Sequence, residues 1–359
     1  MSTSTQSPVR VAEDPHGPIR PQRRLPRYAA LGLYLAGIAL GAALSALTGF
    51  STALTVVYGV VLGTLAVYVG ARVVEGRRKA TDRLVTALVT TAFGIAMIPL
   101  VSLVYTVLDK GLARFDAQFF SNSMFRVVGE GGGAYHAILG TVIITAVTAV
   151  ISVPIGLLTA IYLVEYGTGR LKRAITFFVD VMTGIPSIVA GLFAFALFTL
   201  LFGNDVRLGL MGAAALSVLM IPVVVRSCEE VLKLVPNELR EASYALGVPK
   251  WRTIVKVVLP TAIAGLGTGI TLAVARVIGE TAPLLITVGL ITGTNLDPFD
   301  GRMATLPVFA YYQLTQPGTD TQAFLDRAWT AALVLIILVM VLNVVARLIS
   351  RFFAPKTGR

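Results

Sequence analysis

Charged residues are scarce in this chain, and cysteine and histidine are nearly absent. Only 14% of the 359 residues are charged and 55% are hydrophobic, whereas ordinary soluble domains carry about 25% charged residues. This composition excludes an ordinary soluble enzyme and a disordered chain. The single cysteine, Cys228, excludes an internal disulfide. The two histidines, His16 and His136, leave little material for a histidine-based metal or catalytic centre.

Positive charge is nevertheless in excess, with 30 Lys and Arg against 19 Asp and Glu and a net charge of +11. A basic balance indicates nucleic-acid binding only where the charges cluster on a soluble face. Here the charges lie between long uncharged stretches, so no nucleic-acid partner is expected.

Those uncharged stretches predict eight membrane-spanning helices, because about 20 apolar residues in a helix cross a bilayer. The stretch 28–71 is long enough for two spans, with a tight turn at 48–52. Four further spans are predicted at the uncharged stretches 84–108, 137–164, 208–225 and 328–346. Two more are predicted at 174–203, which is apolar except for Asp180, and at 261–290, which is apolar except for Arg276 and Glu280. The competing interpretation of the first stretch is a secretory signal peptide, which is disfavoured because the stretch is too long for one.

The distribution of basic residues predicts the orientation in the membrane. Of the Lys and Arg residues, 23 lie in one set of connecting segments and 6 in the other set, with Arg276 inside a span. The rich set comprises segments 1–27, 72–83, 165–173, 226–260 and 347–359. Basic residues accumulate on the cytoplasmic side, so both termini are expected to be cytoplasmic.

The same pattern predicts four parts of the chain. These are a cytoplasmic tail at 1–27, an accessory transmembrane hairpin with a basic loop at 28–83, a six-span core at 84–352 and a cytoplasmic tail at 353–359. The hairpin is set apart because its two spans contain neither charge nor proline.

The large cytoplasmic loop 226–260 is predicted to contain a short amphipathic helix at 237–246. Asn237 after Pro236 is the expected N-cap, and Glu238 lies in the first turn. Gly247 and the following Val-Pro pair end the helix. Glu241 is expected to pair with a basic group on a partner or with local Arg240 or Lys250. An ordinary solvated loop is the alternative.

The order Glu241-Ala242-Ser243, Gly247 and Leu259-Pro260 resembles the EAA loop of ABC importer permeases. In that family the short helix inserts into a cleft on the ATPase, so the resemblance implies an ATPase-coupling role for Asn237, Glu238, Glu241, Ala242, Gly247, Leu259 and Pro260. No GxxxxGK[ST] pattern occurs in the chain. The ATPase, with its ATP and magnesium, is therefore expected on a separate chain, and this chain is expected to bind no cofactor and to be a transport subunit rather than an enzyme.

The predicted span 261–290 contains two residues of opposite charge near its middle. Arg276 and Glu280 are four residues apart, so on one helix they share a face and can pair. A guanidinium suits phosphate-like oxygens, which favours an anion pathway in which Glu280 moderates Arg276. A structural ion pair between helices is the alternative.

A helix break is predicted inside the span 174–203, where Pro186 removes a helix N–H and Gly184 loosens the preceding turn. The freed amides, with Ser187, could contact an anion, or the break could be a simple packing kink. Asp180 is expected to reach the membrane interface. The Glu130–Gly133 loop is interpreted as a flexible external linker.

The string RVIGETAPLL at 276–285 closely resembles a signature of phosphate importer permeases of the PstA type, and GIPSIVAG at 184–191 is a second matching string. The resemblance implies an all-α integral membrane fold, with the six-helix core of a type I ABC importer permease plus the N-terminal two-helix accessory hairpin. It also adds Thr281 to the substrate-pathway residues Arg276, Glu280, Gly184, Pro186 and Ser187. The implied partners are a homologous second permease subunit, an ATPase dimer, an extracytoplasmic phosphate-binding protein, inorganic phosphate and membrane lipid.

Two other functions remain open from the residues alone. A permease for another oxyanion, such as sulfate or molybdate, would have a similar architecture. A secondary transporter could use Arg276 and Glu280 as an ion-coupling pair without an ATPase.

Overall fold

Helices are the only regular secondary structure in the part of the protein that the computed structural model describes, which comprises residues 26, 28–47, 51–204 and 206–353. Most of the predicted tails 1–27 and 353–359, and residues 48–50 of the predicted turn, lie outside these residues. The α-helices within them are α1 Ala29–Leu47, α2 Thr52–Val74, α3 Arg77–Gly111, α4 Ala117–Ser121, α5 Tyr135–Ile161, α6 Gly169–Thr183, α7 Ser187–Phe202, α8 Gly209–Lys233, α9 Asn237–Ala245, α10 Lys250–Thr253, α11 Leu259–Val277, α12 Ala282–Thr287, α13 Leu306–Thr315 and α14 Thr321–Phe353.

Seven of the described helical segments are long and apolar enough to cross a membrane: α1, α2, α3, α5, α8, α10 joined to α11, and α14. The predicted span 174–203 is instead two helices, α6 and α7, bent by 107°. An eighth span exists only if this bent pair counts as one, so the total of eight stays a prediction.

The bend between α6 and α7 lies at the predicted break. The amides of Gly184 and Ile185 donate to carbonyls only three residues back, which closes α6 with tight turns. Pro186 has an extended backbone with ψ of 137° and offers no N–H, so α7 begins afresh at Ser187. The break predicted from Gly184 and Pro186 is therefore confirmed.

The chain forms two compact units, residues up to 103 and residues from 104 onward. In the first unit, α1 and α2 pack at the distance that only glycine allows. A Cβ atom on Gly37 would lie 2.5 Å from the amide nitrogen of Gly63, and one on Gly41 would lie 2.6 Å from that of Gly59. Such small-residue contacts drive helix pairing in lipid, where apolar attraction between helices is weak. The accessory role of this hairpin stays a prediction, as do the part boundaries at 83 and 352.

Helix α8 lies at the centre of the second unit. Its side chains Met220, Val224 and Leu232 are fully buried in the main apolar core, together with residues of α5 and α11. A Cβ atom on Gly156 of α5 would lie 2.6 Å from the Cγ1 atom of Val224, so α5 approaches α8 closely. The helices that flank the predicted cytoplasmic loop are thereby packed into one core.

The Glu130–Gly133 loop is anchored by arginine side chains. Arg327 is fully buried, and its Nη1 donates to the carbonyls of Gly129 at 2.8 Å and Gly131 at 3.0 Å. Arg114 donates from Nη2 to the carbonyl of Gly132 at 3.0 Å. The interpretation of this loop as a flexible linker is wrong, because guanidinium groups satisfy its backbone carbonyls.

Candidate functional site

Helix α9 occupies the predicted place in the 226–260 loop, between α8 and α10. It spans Asn237–Ala245, so the predicted helix is confirmed to within one residue. The predicted N-cap is wrong by one position, because Pro236 is the cap residue and no side chain caps the helix. The extended ψ of 139° at Pro236 starts the helix directly after it. The side chain of Asn237 instead accepts a hydrogen bond from Arg240 Nη1 at 3.2 Å.

The end of α9 is fixed by Gly247, as the sequence predicted. Gly247 has a φ of +72°, the left-handed conformation that glycine adopts without strain. Its amide donates to the carbonyl of Tyr244 at 2.9 Å, and the amide of Val248 donates to that of Ser243 at 3.2 Å. These two bonds form a Schellman motif, which satisfies the last carbonyls of the helix and reverses the chain sharply.

One face of α9 is attached to the rest of the unit by polar contacts. Arg240 forms an ion pair with Glu165, with 2.8 Å between Nη2 and Oε1. Three residues further, the hydroxyls of Ser243 and Thr253 lie 2.8 Å apart, and both residues are buried. Residues three apart share a helix face, so α9 is held along one side at two points.

The other positions of α9 are exposed, including Glu238, Glu241 and Ala242. The predicted local pairing of Glu241 is wrong. Arg240 turns to Glu165, and the ammonium of Lys250 lies 4.9 Å from the centre of the Tyr166 ring. Both basic neighbours are engaged elsewhere, so the carboxylate of Glu241 is presented to the outside of the chain.

The Leu259-Pro260 pair begins α11 after a π-helical turn at Ile254–Val258. Proline cannot donate the backbone hydrogen bond that an uninterrupted helix would need here. The π turn accommodates this loss without bending the chain away, so α10, the π turn and α11 continue as one long segment. Leu259 is half-buried against the main core, and Pro260 is exposed.

Arg276 and Glu280 do not form the predicted pair in the middle of a span. Helix α11 ends at Val277, so Arg276 lies in its last turn and Glu280 lies beyond it. No ion pair joins these two described residues; Arg276 is exposed and Glu280 is half-buried. Pro283, which has no N–H to donate, and Gly279, a poor helix former, both disfavour an uninterrupted helix through this segment.

The segments that carry the two matching strings pack against each other through α7 and α12. A Cβ atom on Gly191 would lie 2.7 Å from the Cα atom of Pro283. Pro283 is buried at the start of α12. The structure therefore brings the 184–191 and 276–285 strings together, although nothing in either string alone indicates that the two are in contact.

Thr281 borders a groove of about 460 Å³ that Pro307 and Tyr311 of α13 and Trp329 of α14 also line. The lining of this groove, within the described part of the chain, contains none of the other five predicted pathway residues. Among those five, Gly184 and Pro186 are exposed and Ser187 is half-buried. This groove therefore does not gather the six predicted pathway residues.

Sequence reasoning missed Glu165, which follows the apolar run of α5. Its side chain is 5% exposed, and its partner Arg240 lies 75 positions further along the chain. No local sequence pattern marks Glu165, because the carboxylates near Arg240 in the sequence are Glu238 and Glu241.

An ion-pair network between α6 and α8 was also missed. Arg226 pairs with Asp180 and, at 2.8 Å, with Glu229, which also accepts from Lys233 at 2.7 Å. Asp180 is 58% exposed. Asp180, which is predicted to lie at the edge of the membrane, therefore contacts α8 directly through Arg226. No local sequence pattern indicates this contact.

Comparison with known families gives one match that covers more than half of the chain. The family described as binding-protein-dependent transport system inner membrane component matches residues 152–359. That range contains both matching strings and the whole of α9.

Similar curated proteins cover most of this chain. The phosphate transport system permease protein PstA 1 of Mycobacterium tuberculosis H37Rv is 49% identical over 286 residues, which is 79% of this chain and 91% of that protein. The PstA proteins of Mycobacterium leprae and Pasteurella multocida are 48% and 36% identical, covering 76% and 78% of this chain and 89% and 97% of theirs.

Solved structures show the fold at lower identity. A chain of the bacterial alginate ABC transporter, solved in complex with alginate pentasaccharide-bound periplasmic protein, has a TM-score of 0.54 at 14% identity, covering 78% of this chain and 97% of that chain. A second alginate importer structure gives a TM-score of 0.51 at 13% identity, covering 77% and 97%. The predicted fold class, an all-α integral membrane protein resembling a type I ABC importer permease, is confirmed.

Proposed function

Because the chain belongs to the family of binding-protein-dependent transport system inner membrane components, we propose that it is a permease subunit of an ATP-driven phosphate importer. It is a multi-pass protein of the inner membrane and a transport subunit. The observation that carries the assignment to phosphate is the identity of 36–49% to phosphate permeases over more than three quarters of the chain.

The geometry of α9 supports coupling to a separate ATPase. The helix has a defined start after Pro236, a sharp stop at Gly247 and an outward face that carries Glu238, Glu241 and Ala242. A carboxylate without a local basic partner is available to a basic group on another protein. ATP and magnesium bind to that ATPase, since this chain carries no phosphate-binding Walker pattern.

The exposure of Arg276 supports a pathway completed by a second subunit. On the surface of this chain the guanidinium has no carboxylate partner at position 280 and retains donors for an oxyanion. A homologous permease placed against this surface would enclose it. Glu280, Thr281, Gly184, Pro186 and Ser187 contribute to the same pathway from the break between α11 and α12 and the break before α7.

The remaining arrangement follows the distribution of charge. Both termini and α9 lie in the cytoplasm, the α6–α7 pair counts as one of eight spans, and an extracytoplasmic phosphate-binding protein delivers the substrate. The excess of basic residues on the α9 side supports this orientation.

Reconstitution tests the proposal. The full chain is placed in proteoliposomes with the second permease, the ATPase and the binding protein, and uptake of radiolabelled phosphate is measured with and without ATP. We expect phosphate uptake that depends on ATP and that excess sulfate or molybdate does not inhibit. Inhibition of phosphate uptake by either anion would favour a permease for that other oxyanion. Uptake driven by an ion gradient without the ATPase would favour a secondary transporter.

A further inference from the structure

Arg240 of α9 contacts the ends of two core helices at once. Its side chain is 12% exposed, and all three guanidinium nitrogens donate hydrogen bonds. Nε and Nη2 reach Glu165 Oε1 at 3.1 and 2.8 Å. Nη1 donates to the carbonyl of Val235 at 2.6 Å, and Nη2 donates to that of Leu232 at 3.1 Å. We call these contacts the Arg240 latch.

On one side, the latch holds the end of α5. Glu165 lies in the π-helical turn Tyr162–Tyr166 that continues α5, and Leu163 in the same turn is fully buried. The turn is closed by a hydrogen bond from the amide of Gly167 to the carbonyl of Tyr162. Since the turn is fixed to the apolar core, a displacement of Glu165 must also displace α5.

On the other side, the latch holds the end of α8. The carbonyls of Leu232 and Val235 belong to the last turn of α8 and the residues after it, where helix carbonyls lack the regular donor four residues on. The Leu232 carbonyl also accepts from the amide of Val235 at 3.4 Å. A guanidinium there satisfies the carbonyls and interacts favourably with the negative end of the helix dipole. α8 is the central helix of the unit, so the latch joins α9 to its core.

The chemistry of the latch requires arginine. Acceptors lie on Glu165 and on two carbonyls, and the planar five-donor guanidinium reaches them in fixed directions. A lysine ammonium would keep the charge, but as a compact group it cannot reach all three positions. Such directional contacts hold an orientation, whereas apolar contacts permit sliding.

From this geometry we infer that Arg240 is a positioning residue, which makes α5 and α8 follow α9 as one body. This inference rests on the proposed function, in which an ATPase displaces α9. The Ser243–Thr253 contact ties α9 separately to α10, so loss of the latch leaves α9 in place but removes its direct contacts with the ends of α5 and α8.

Two measurements on the full chain test the inference, using Arg240→Ala and, as a matched control, Arg170→Ala, which removes an exposed arginine from α6. The first is hydrogen exchange of the purified chain. Faster exchange in both 162–167 and 232–236 in Arg240→Ala alone is expected, and exchange unchanged in both segments would overturn the latch.

The second measurement is the number of phosphate ions taken up per ATP hydrolysed by the assembled transporter. Arg240→Ala should lower this ratio about ten-fold, the size of a typical coupling energy between sites. The ATPase should still co-purify and hydrolyse ATP. Arg240→Lys should give an intermediate ratio, and Arg170→Ala should give the wild-type ratio.

A double variant separates transmission from mere stability. Arg240→Ala leaves the carboxylate of Glu165 buried without its partner, so adding Glu165→Gln should restore protein abundance. The ratio should remain low, and a ratio that recovers together with abundance would overturn the positioning role. If the wild-type assembly takes up no phosphate, the proposed function fails, whereas a wild-type ratio in Arg240→Ala refutes the latch alone.

Discussion

Gly191 of α7 packs directly against Pro283 of α12, and a Cβ atom on the glycine would lie 2.7 Å from the proline Cα atom. Neither residue can be moved easily. Pro283 is buried, and α7, which carries Gly191, begins directly after the sharp bend that separates it from α6. The contact joins two segments that lie about one quarter of the chain apart. It therefore fixes the position of the Gly279–Thr281 turn relative to the break at Gly184–Pro186.

Replacement of Gly191 by alanine should force α7 and α12 apart. Overpacking of a close helix contact costs about 1–3 kcal/mol, so we expect a lower melting temperature in detergent and reduced phosphate uptake. Gly94→Ala is the matched control, because Gly94 lies in α3 with nothing within 4 Å of an added Cβ atom. Equal melting temperatures for the two variants would show that the α7–α12 contact adapts freely.

The left-handed conformation of Gly247 gives a second prediction. Nothing lies within 4 Å of an added Cβ atom, so a substitution there is penalised by backbone conformation rather than by crowding. Gly247→Val should weaken the Schellman motif by about 1–2 kcal/mol and reduce ATP-dependent uptake while membrane insertion stays intact. Gly247→Asn should retain most uptake, because asparagine tolerates this conformation. Similar uptake by both variants would mean that coupling to the ATPase does not depend on the Schellman motif at the end of α9.

The separation of Arg276 from Glu280 gives a third prediction. Arg276 is exposed, so Arg276→Gln should fold normally, with a melting temperature equal to that of the wild type. Phosphate uptake should fall by about ten-fold or more, the effect of losing one charge-assisted hydrogen bond to the anion. Full uptake at matched protein levels would remove Arg276 from the pathway. A drop in melting temperature comparable with the loss of uptake would indicate a structural role instead.

Local patterns predicted those features that depend on nearby residues. Proline and glycine punctuation located the break at Gly184–Pro186 and the stop at Gly247, because both act within one helical turn. Gly279 and Pro283 carry the same signals, but the apolar run 261–290 outweighs them, so the sequence alone predicts Arg276 and Glu280 on one helix. A hydropathy pattern measures apolar length, and it does not distinguish one long helix from two shorter ones.

Contacts between distant residues could not be read from the sequence. Arg240 has two acidic residues within three positions, Glu238 and Glu241, yet it pairs with Glu165, 75 positions away. The choice is made by burial, since Glu165 is held beside the end of α8 while Glu238 and Glu241 remain in contact with solvent. The packing of Gly191 on Pro283 is of the same kind, because each string alone predicts only local backbone features.

The buried guanidinium of Arg327 gives the last prediction. It donates to the carbonyls of Gly129 and Gly131 and to Gln313 Oε1 at 3.1 Å. Its removal leaves the Gly129 carbonyl and Gln313 Oε1 without this donor, and leaves Gly131 only the longer bond of 3.4 Å from Arg114 Nη1. Arg327→Met, which fills a similar volume, should destabilise the protein by about 3 kcal/mol. Cleavage within residues 122–133 by an added protease should become faster, as measured on the purified chain. The cleavage rate of Arg327→Lys should lie between those of the wild type and Arg327→Met, since an ammonium retains the charge but reaches fewer acceptors. Protease resistance equal to that of the wild type in Arg327→Met would mean that Arg114 alone holds the loop.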